Sequence, residues 1–273
     1  WIETGTDVTP FYDPMLAKVI VSGENRQAAI AALEAALART AISGIETNLD
    51  YLKAIAASEL FQSGDVATTA LKDFVFVPDV VEVIAPGAQS SLQELPGRLG
   101  LWHVGVPPSG PMDERSFRHA NRLVGNHDHT AALELTVSGP VLKFFADVTV
   151  ALAGAEMPMK LDGEPVAHNA AIAVKAGQTL SLGQIAGAGQ RAYLAVSGGF
   201  DAPVVLGSRA TFGLGQFGGN ATGTLRAGHV LRLARAVQTD VKPASEPADL
   251  TREWSVGVLY GPHGAPDFFL EEI

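Results

Sequence analysis

Leu133-Glu134-Leu135-Thr136-Val137-Ser138-Gly139-Pro140-Val141-Leu142-Lys143-Phe144-Phe145 decides the fold class. Leu133, Leu135 and Val137 alternate with Glu134 and Thr136, the period-two pattern of a strand with one buried face. Ser138-Gly139-Pro140 is a turn signal, and Val141–Phe145 resumes as a second apolar run. The same texture extends to both sides. Val80–Ala85, Val148–Leu152, Ile172–Val174 and Tyr193–Val196 are further short runs, separated by turns at Asp162-Gly163, Ala176-Gly177 and Ser197-Gly198-Gly199. Many short strands at this spacing predict a sandwich or barrel. One helix interrupts them: Asp113 is a good N-cap, Phe117, Ala120 and Leu123 or Val124 give an apolar face, and Gly125 is a plausible stop.

Residues 1–76 read differently. Val19-Ile20-Val21 is a β-branched run, read as a strand ending at Ser22-Gly23. A helix is predicted from Asn25 to Arg39, where Ile30, Leu33 and Leu37 share a face padded by alanines. A second helix is predicted from Thr47, with Thr47 and Asp50 at capping-box spacing and Leu49, Leu52, Ile55 and Ala56 as its buried stripe. The expected fold class is therefore α+β: a small strand-helix-helix tail, then a β-rich, barrel- or sandwich-like body with one conspicuous helix. The expected organisation is a tail over 1–76, a β-rich part over 77–236, a linker over 237–250 poor in apolar residues, and a new part over 251–273 opening on a strand at Trp254–Tyr260. The start at Trp1 and the end at Ile273 read as those of a piece of a larger protein.

Composition narrows the function classes. With 47% hydrophobic residues among 273, the chain can bury a core, and its length allows about two domains. Its 29 acidic against 19 basic residues give a formal charge of −10, with no basic cluster, which argues against nucleic acid or an anionic membrane as partner. No apolar run approaches the roughly 18 residues needed to span a bilayer, and a cytoplasmic location is expected. The absence of cysteine removes disulfides, zinc–thiolate sites and thiol nucleophiles together.

No generic catalytic signature is present: there is no P-loop, no GxSxG elbow and no HExxH. The glycine-rich stretch Gly213–Gly219 lacks the strand-to-helix context of a dinucleotide site; it reads either as a loop whose N–H groups approach a ligand or as an ordinary turn. His127 and His129 flank Asp128 in a polar loop with no further ligand at metal spacing, so a solvated loop is expected. His103 either lines a pocket or packs with its nitrogens bonded. Asn121 carries an amide beside Ala120 and Leu123, and that amide either bonds backbone or meets a small polar substrate. Glu134 either turns outward to water or is held in a site.

Two stretches carry a resemblance. Phe11-Tyr12-Asp13-Pro14-Met15-Leu16-Ala17-Lys18, Gly23-Glu24-Asn25-Arg26 and Gly44-Ile45-Glu46-Thr47-Asn48 resemble the C-terminal end of a biotin carboxylase domain. Pro96-Gly97-Arg98, Gly105-Val106-Pro107-Pro108-Ser109-Gly110-Pro111-Met112-Asp113, Ala120-Asn121, Leu133-Glu134, Leu206-Gly207-Ser208-Arg209 and Gly261-Pro262-His263-Gly264 resemble the first half of a urea-carboxylase-type carboxyltransferase domain. The wider group includes 5-oxoprolinase accessory subunits, which lack a biotin carboxylase tail. The pattern leads one to expect Asp where Glu94 follows Gln93, an Arg where Gly223-Thr224 stands, and an Asp where Gly228-His229 stands.

The resemblance implies a biotin-dependent ligase that passes a carboxyl group from carboxybiotin to a nitrogen of urea, giving allophanate. Biotin would sit on a biotin carboxyl carrier domain outside this chain, and ATP and Mg2+ in the upstream domain. The partners would be that carrier, urea or guanidine, and the remaining biotin carboxylase and carboxyltransferase parts. It implies no activity for this chain alone. On this footing Asn121 is the expected substrate contact, with Asp113 supporting its helix. Ser208, Arg209, Gly218 and Gly219 are candidates for the carboxybiotin side: a guanidinium matches a carboxylate bidentately, and glycine N–H groups can stabilise an oxyanion. An ion pair of purely structural role is the alternative for Arg209. Guanidine as substrate, and a non-catalytic binding module, are the alternative functions.

Overall fold

The computed structural model describes residues 3–257 except 4, 5, 7, 10, 12, 43–46, 66, 221–222 and 236–241. The expected features at 44–46 and 258–269 lie outside the described residues.

The N-terminal part holds α1 (Arg26–Arg39), α2 (Leu49–Ala57) and α3 (Glu59–Ser63). Asn25 caps α1, its Oδ1 accepting from the N–H of Ala28 at 2.9 Å. Ile30 and Leu37 are buried, and Leu37 meets Leu49 and Ala56 of α2 in a small core. Three expectations need correction. The Thr47–Asp50 capping box does not form: Asn48 holds the cap position without a side-chain bond, and Asp50 turns instead to Lys53 and Arg232. Leu52 is 40% exposed, because the helical core closes on the Leu49–Ala56 side of α2. Val19–Val21 forms no strand. No described segment pairs with it and Ile20 is 83% exposed, so its β-branched sequence has no ladder to join.

Residues 80–233 form the body. One antiparallel sheet contains β1 (Val80–Ala85), β4 (Val141–Phe144), β6 (Met159–Leu161), β7 (Glu164–Val166), β9 (Thr179–Leu182), β11 (Phe200–Asp201) and β12 (Val230–Leu233), in the order β11-β12-β1-β4-β9-β6-β7. The other contains β2 (Gln89–Gln93), β3 (Ala132–Thr136), β5 (Val148–Gly154), β8 (Ile172–Val174) and β10 (Arg191–Val196), in the order β2-β3-β10-β5-β8. Their facing sides share one core. Val81, Val83, Leu142, Phe144, Leu180 and Leu231 come from the first sheet; Leu133, Leu135, Val150, Leu152, Leu194 and Val196 come from the second.

Strand β10 shows how the period-two pattern positions everything else. Ala192, Leu194 and Val196 point into the shared core, whereas Tyr193 and Ala195 point to the opposite face. There α4 (Glu114–Leu123) lies across the sheet with Phe117 and Ala120 packed on Ala132, Ala153, Tyr193 and Ala195. Small residues on the strands let the helix approach closely. Asp113 caps α4 as expected, accepting from the Ser116 N–H at 3.0 Å, and Gly125 follows the helix at φ 73°. The described part of 242–257 has no regular structure, so the expected strand at Trp254 does not begin there.

Candidate functional site

Three loops meet at the end of β2. The first begins at Gln93, whose Oε1 accepts from Gly110 N at 3.1 Å and thereby ties both ends of residues 93–110. Glu94 follows. Its Oε1 accepts from the Ser208 hydroxyl at 2.9 Å and the Arg209 N–H at 2.6 Å, while Oε2 lies 3.7 Å from the Arg209 guanidinium. Arg98 is 1% exposed; its Nε donates to Val205 O at 2.9 Å and its Nη2 to Ser208 O at 3.3 Å. The third loop folds over it: Phe212 pairs with Phe217, whose ring lies 4.9 Å from the Arg98 Cζ. Gly218 (φ 75°) is required here, since a Cβ would fall 2.2 Å from both Ala210 O and Arg98 Nη2.

The structure thus brings together Ser208, Arg209, Gly218 and Gly219, with Glu94 and Arg98 as their organisers. Ser208 is buried, and the Gly219 N–H donates to Arg209 O at 2.7 Å, so it is not a free oxyanion donor. Two guanidinium groups around one carboxylate leave the cluster positive, within a chain of formal charge −10. Burial pushes the Arg98 guanidinium below its ordinary pKa, and the Glu94 charge opposes that shift. Arg98 is the residue that sequence reasoning missed. Its signal was its place in the Pro96-Gly97-Arg98 motif of the resemblance, to which no role was attached.

A second locus sits at the N-terminus of α4. Glu134 is held in place there: its Oε2 accepts from the Met112 N–H at 2.8 Å and from the Tyr193 hydroxyl at 2.9 Å. Tyr193 in turn accepts from the Asp113 N–H at 2.7 Å, and Arg191 Nε lies 3.6 Å from Glu134. Burial first, and then the Glu134 charge, push the Tyr193 phenol up, so it stays a neutral donor. Beside this network opens a cleft of about 620 Å³, lined by Met112, Asp113, residues 187–191, and Leu250, Thr251, Arg252 and Trp254.

Asn121 lies in neither place. It has no exposed surface; its Nδ2 donates to Thr130 O at 2.9 Å and its Oδ1 accepts from Asn126 Nδ2 at 2.9 Å. Asn126 also reaches Val196 O and Gly198 N, so the paired amides pin the 126–130 loop to the end of β10. Of the two readings open for Asn121, the bonded one describes its geometry. Asp128 forms a two-point ion pair with Arg122, at 2.6 and 2.7 Å, and the His127 and His129 rings stack. No cluster of metal-ligating side chains occurs among the described residues. His229 closes a turn through its Nδ1, which accepts from Arg226 N at 3.2 Å. No described helix is long and apolar enough to cross a membrane.

Known proteins resemble the chain in sequence and in fold. The family described as carboxyltransferase domain, subdomain A and B, matches residues 104–273, and the biotin carboxylase C-terminal domain matches residues 1–73. Over its whole length the chain is 43% identical to a urea amidolyase of Saccharomyces cerevisiae, of which it spans 15%. It is 37% identical over 96% of its length to a putative urea carboxylase of Emericella nidulans, spanning 22% of that protein. The crystal structure of the Kluyveromyces lactis urea carboxylase superposes on all of the chain with a TM-score of 0.88 at 44% identity; the chain covers 25% of it. Residues 1–73 match the biotin carboxylase C-terminal domain, and the chain belongs to the family of carboxyltransferase domains, subdomains A and B.

Proposed function

We propose that the chain works within a biotin-dependent urea carboxylase, where its body forms part of the site of carboxyl transfer to a nitrogen of urea, giving allophanate. The carrying observation is the likeness over the entire chain, across both domain types at once, to a urea carboxylase structure at 44% identity and a TM-score of 0.88. The 5-oxoprolinase C subunit of Haemophilus influenzae matches only 57% of the chain, which favours the carboxylase reading over a binding module.

Biotin, brought on a carrier domain from elsewhere in the protein, supplies the carboxyl group. ATP and Mg2+ serve the rest of the biotin carboxylase part. The donor set of the loop cluster fits a carboxylate: Arg209 is 38% exposed, and its second charged neighbour Arg98 leaves Glu94 unable to neutralise both. In this reading Arg209 binds the carboxylate with a two-pronged guanidinium. Ser208 and Glu94 orient it through the bonds at Ser208 Oγ and Arg209 N. Gly218 and Gly219 keep the covering loop close enough for this packing. Asp113 and Asn121 act as positioning residues, one capping α4 and the other pinning its C-terminal loop. Tyr193, neutral and bonded to Glu134, holds the helix start against the sheet.

The test uses the full-length enzyme. Arg209→Ala should lower urea-dependent carboxyl transfer about 100-fold, as loss of one oriented charged donor does, while bicarbonate-dependent ATP cleavage without urea continues. Unchanged transfer would reject Arg209 as the carboxylate ligand. Steady-state kinetics with urea and with guanidine decide the substrate: a higher kcat/KM for guanidine overturns the urea reading.

A further inference from the structure

The turn that carries Ser208 into Arg209 is strained, and Arg98 lies directly against it. Val205 and Ser208 exchange backbone hydrogen bonds at 2.9 and 3.3 Å, which makes Leu206-Gly207 a two-residue hairpin loop. Both central residues have positive φ, 52° at Leu206 and 82° at Gly207. That is the geometry of a primed turn, for which Asn-Gly or Gly-Gly is the favoured pair. A leucine in the left-handed region is a poor choice and persists only where the surroundings over-determine it. The surroundings here are the Arg98 fork. Nε and Nη2 hold the two carbonyls that frame the turn, Val205 O and Ser208 O, and the Arg98 N–H fixes Pro108 O at 2.6 Å on the other side. A guanidinium reaches two carbonyls in a fixed plane; a lysine ammonium cannot. The Arg98 Nη1, buried and without a hydrogen-bond partner among the described residues, marks a side chain placed for the turn and not for its own full satisfaction.

We propose that Arg98 is a positioning residue for carboxyl transfer: it holds the Val205–Ser208 turn in its left-handed form, so that Arg209 leaves the turn aimed at the carboxylate. This rests on the reading of Arg209 given above.

In the full-length enzyme, Arg98→Lys should lower kcat for urea-dependent transfer 10- to 100-fold, the scale of a misplaced binding group, while ATP cleavage without urea is unaffected. Leu206→Asn tolerates the left-handed backbone unaided and should alone be near wild type. Combined with Arg98→Lys it should recover most of the lost kcat, which a merely structural role of Arg98 would not produce. In an Arg209→Ala background, Arg98→Lys should add no further loss. Phe217→Leu removes the ring under the guanidinium but keeps the fork, and should give the same split in milder form if Arg98→Lys fails to fold. Failure of Leu206→Asn to rescue, an additive loss in Arg209→Ala, or unchanged kcat in both Arg98→Lys and Phe217→Leu overturns the inference. A normal kcat in Arg209→Ala alone instead brings down the reading of Arg209 beneath it.

Discussion

Glu94 divides its carboxylate between a hydroxyl, a backbone N–H and a guanidinium on one turn. Its reach depends on both methylenes. Glu94→Asp should withdraw it from at least one of the two oxygen-bound partners and cost about 1.5–3 kcal/mol, the scale of a hydrogen bond to a charged group; a urea-unfolding midpoint reads the loss. Gly218→Ala should cost more than about 2 kcal/mol. The added carbon collides with the Ala210 carbonyl at 2.2 Å, in a backbone that an L side chain resists. Asp113 and Arg98 mark the limit of sequence reading. Asp113 was legible as a helix cap because its bond to Ser116 is three residues away. Arg98 was not, since its partners Val205 and Ser208 lie 107 and 110 residues along the chain. Asn121 was legible as an amide in need of partners, but which partners it found depended on where Thr130 and Asn126 fold back.

Helix α4 and strand β10 act as one element pair, joined by Tyr193 at the helix start and by Asn126 at its end. Tyr193→Phe should strip the Asp113 N–H of its partner and leave Glu134 with one donor fewer, destabilising by about 1–3 kcal/mol. His119 of α4 is buried between Arg115 and Arg122, beside the Ser245 backbone, with His168 near by. Burial lowers the pKa of His119, as it does for His168 and His229. The sign follows from proton linkage: with folded pKa values depressed, the unfolded chain takes up protons first. Stability is therefore full above the ordinary histidine value of 6.5 and is lost as pH falls below it, until the folded histidines also protonate. Urea midpoints across about pH 5 to 8 should show this slope, and His119→Gln should flatten it. At this scale the period-two runs were readable: β1 and β8 have their expected ends. Strand β2 was invisible, because Gln89-Ser90-Ser91-Leu92-Gln93 has a turn-like composition and buries its polar groups by bonding Pro86 O, Thr211 O and Gly110 N.

The whole molecule has separate cores. Leu33, Leu37, Leu49 and Ala56 close one among the N-terminal helices, whereas the sheets close theirs without any of them. Asp50 and Arg232 link the two parts, beside a polar cleft of about 430 Å³ lined by Thr40, Lys53, Asp79, Asp201 and Asn220. A core so small should yield first. Helical circular dichroism should fall at lower urea than the signal of the β body, and Arg232→Ala should widen the gap; coincident transitions would show one cooperative unit. The succession of a helical tail and a β-rich body was readable from the change in texture, whereas the sandwich order of the strands was not, because β12 reaches β1 across about 150 residues.

The sheet edges have a consequence of their own. An unpaired strand invites another chain to add itself, and the hazard grows with its length. Here β11 has two residues, β8 has three, and β7 has three with Pro165 at its centre. The longest edge, β2, is already occupied: Thr211 and Leu225 donate their N–H groups to Leu92 O and Ser90 O. All four margins of the two sheets, as the described residues form them, are therefore too short, too broken or too engaged to template a neighbour. Such a body can be held at high local concentration without zipping onto copies of itself.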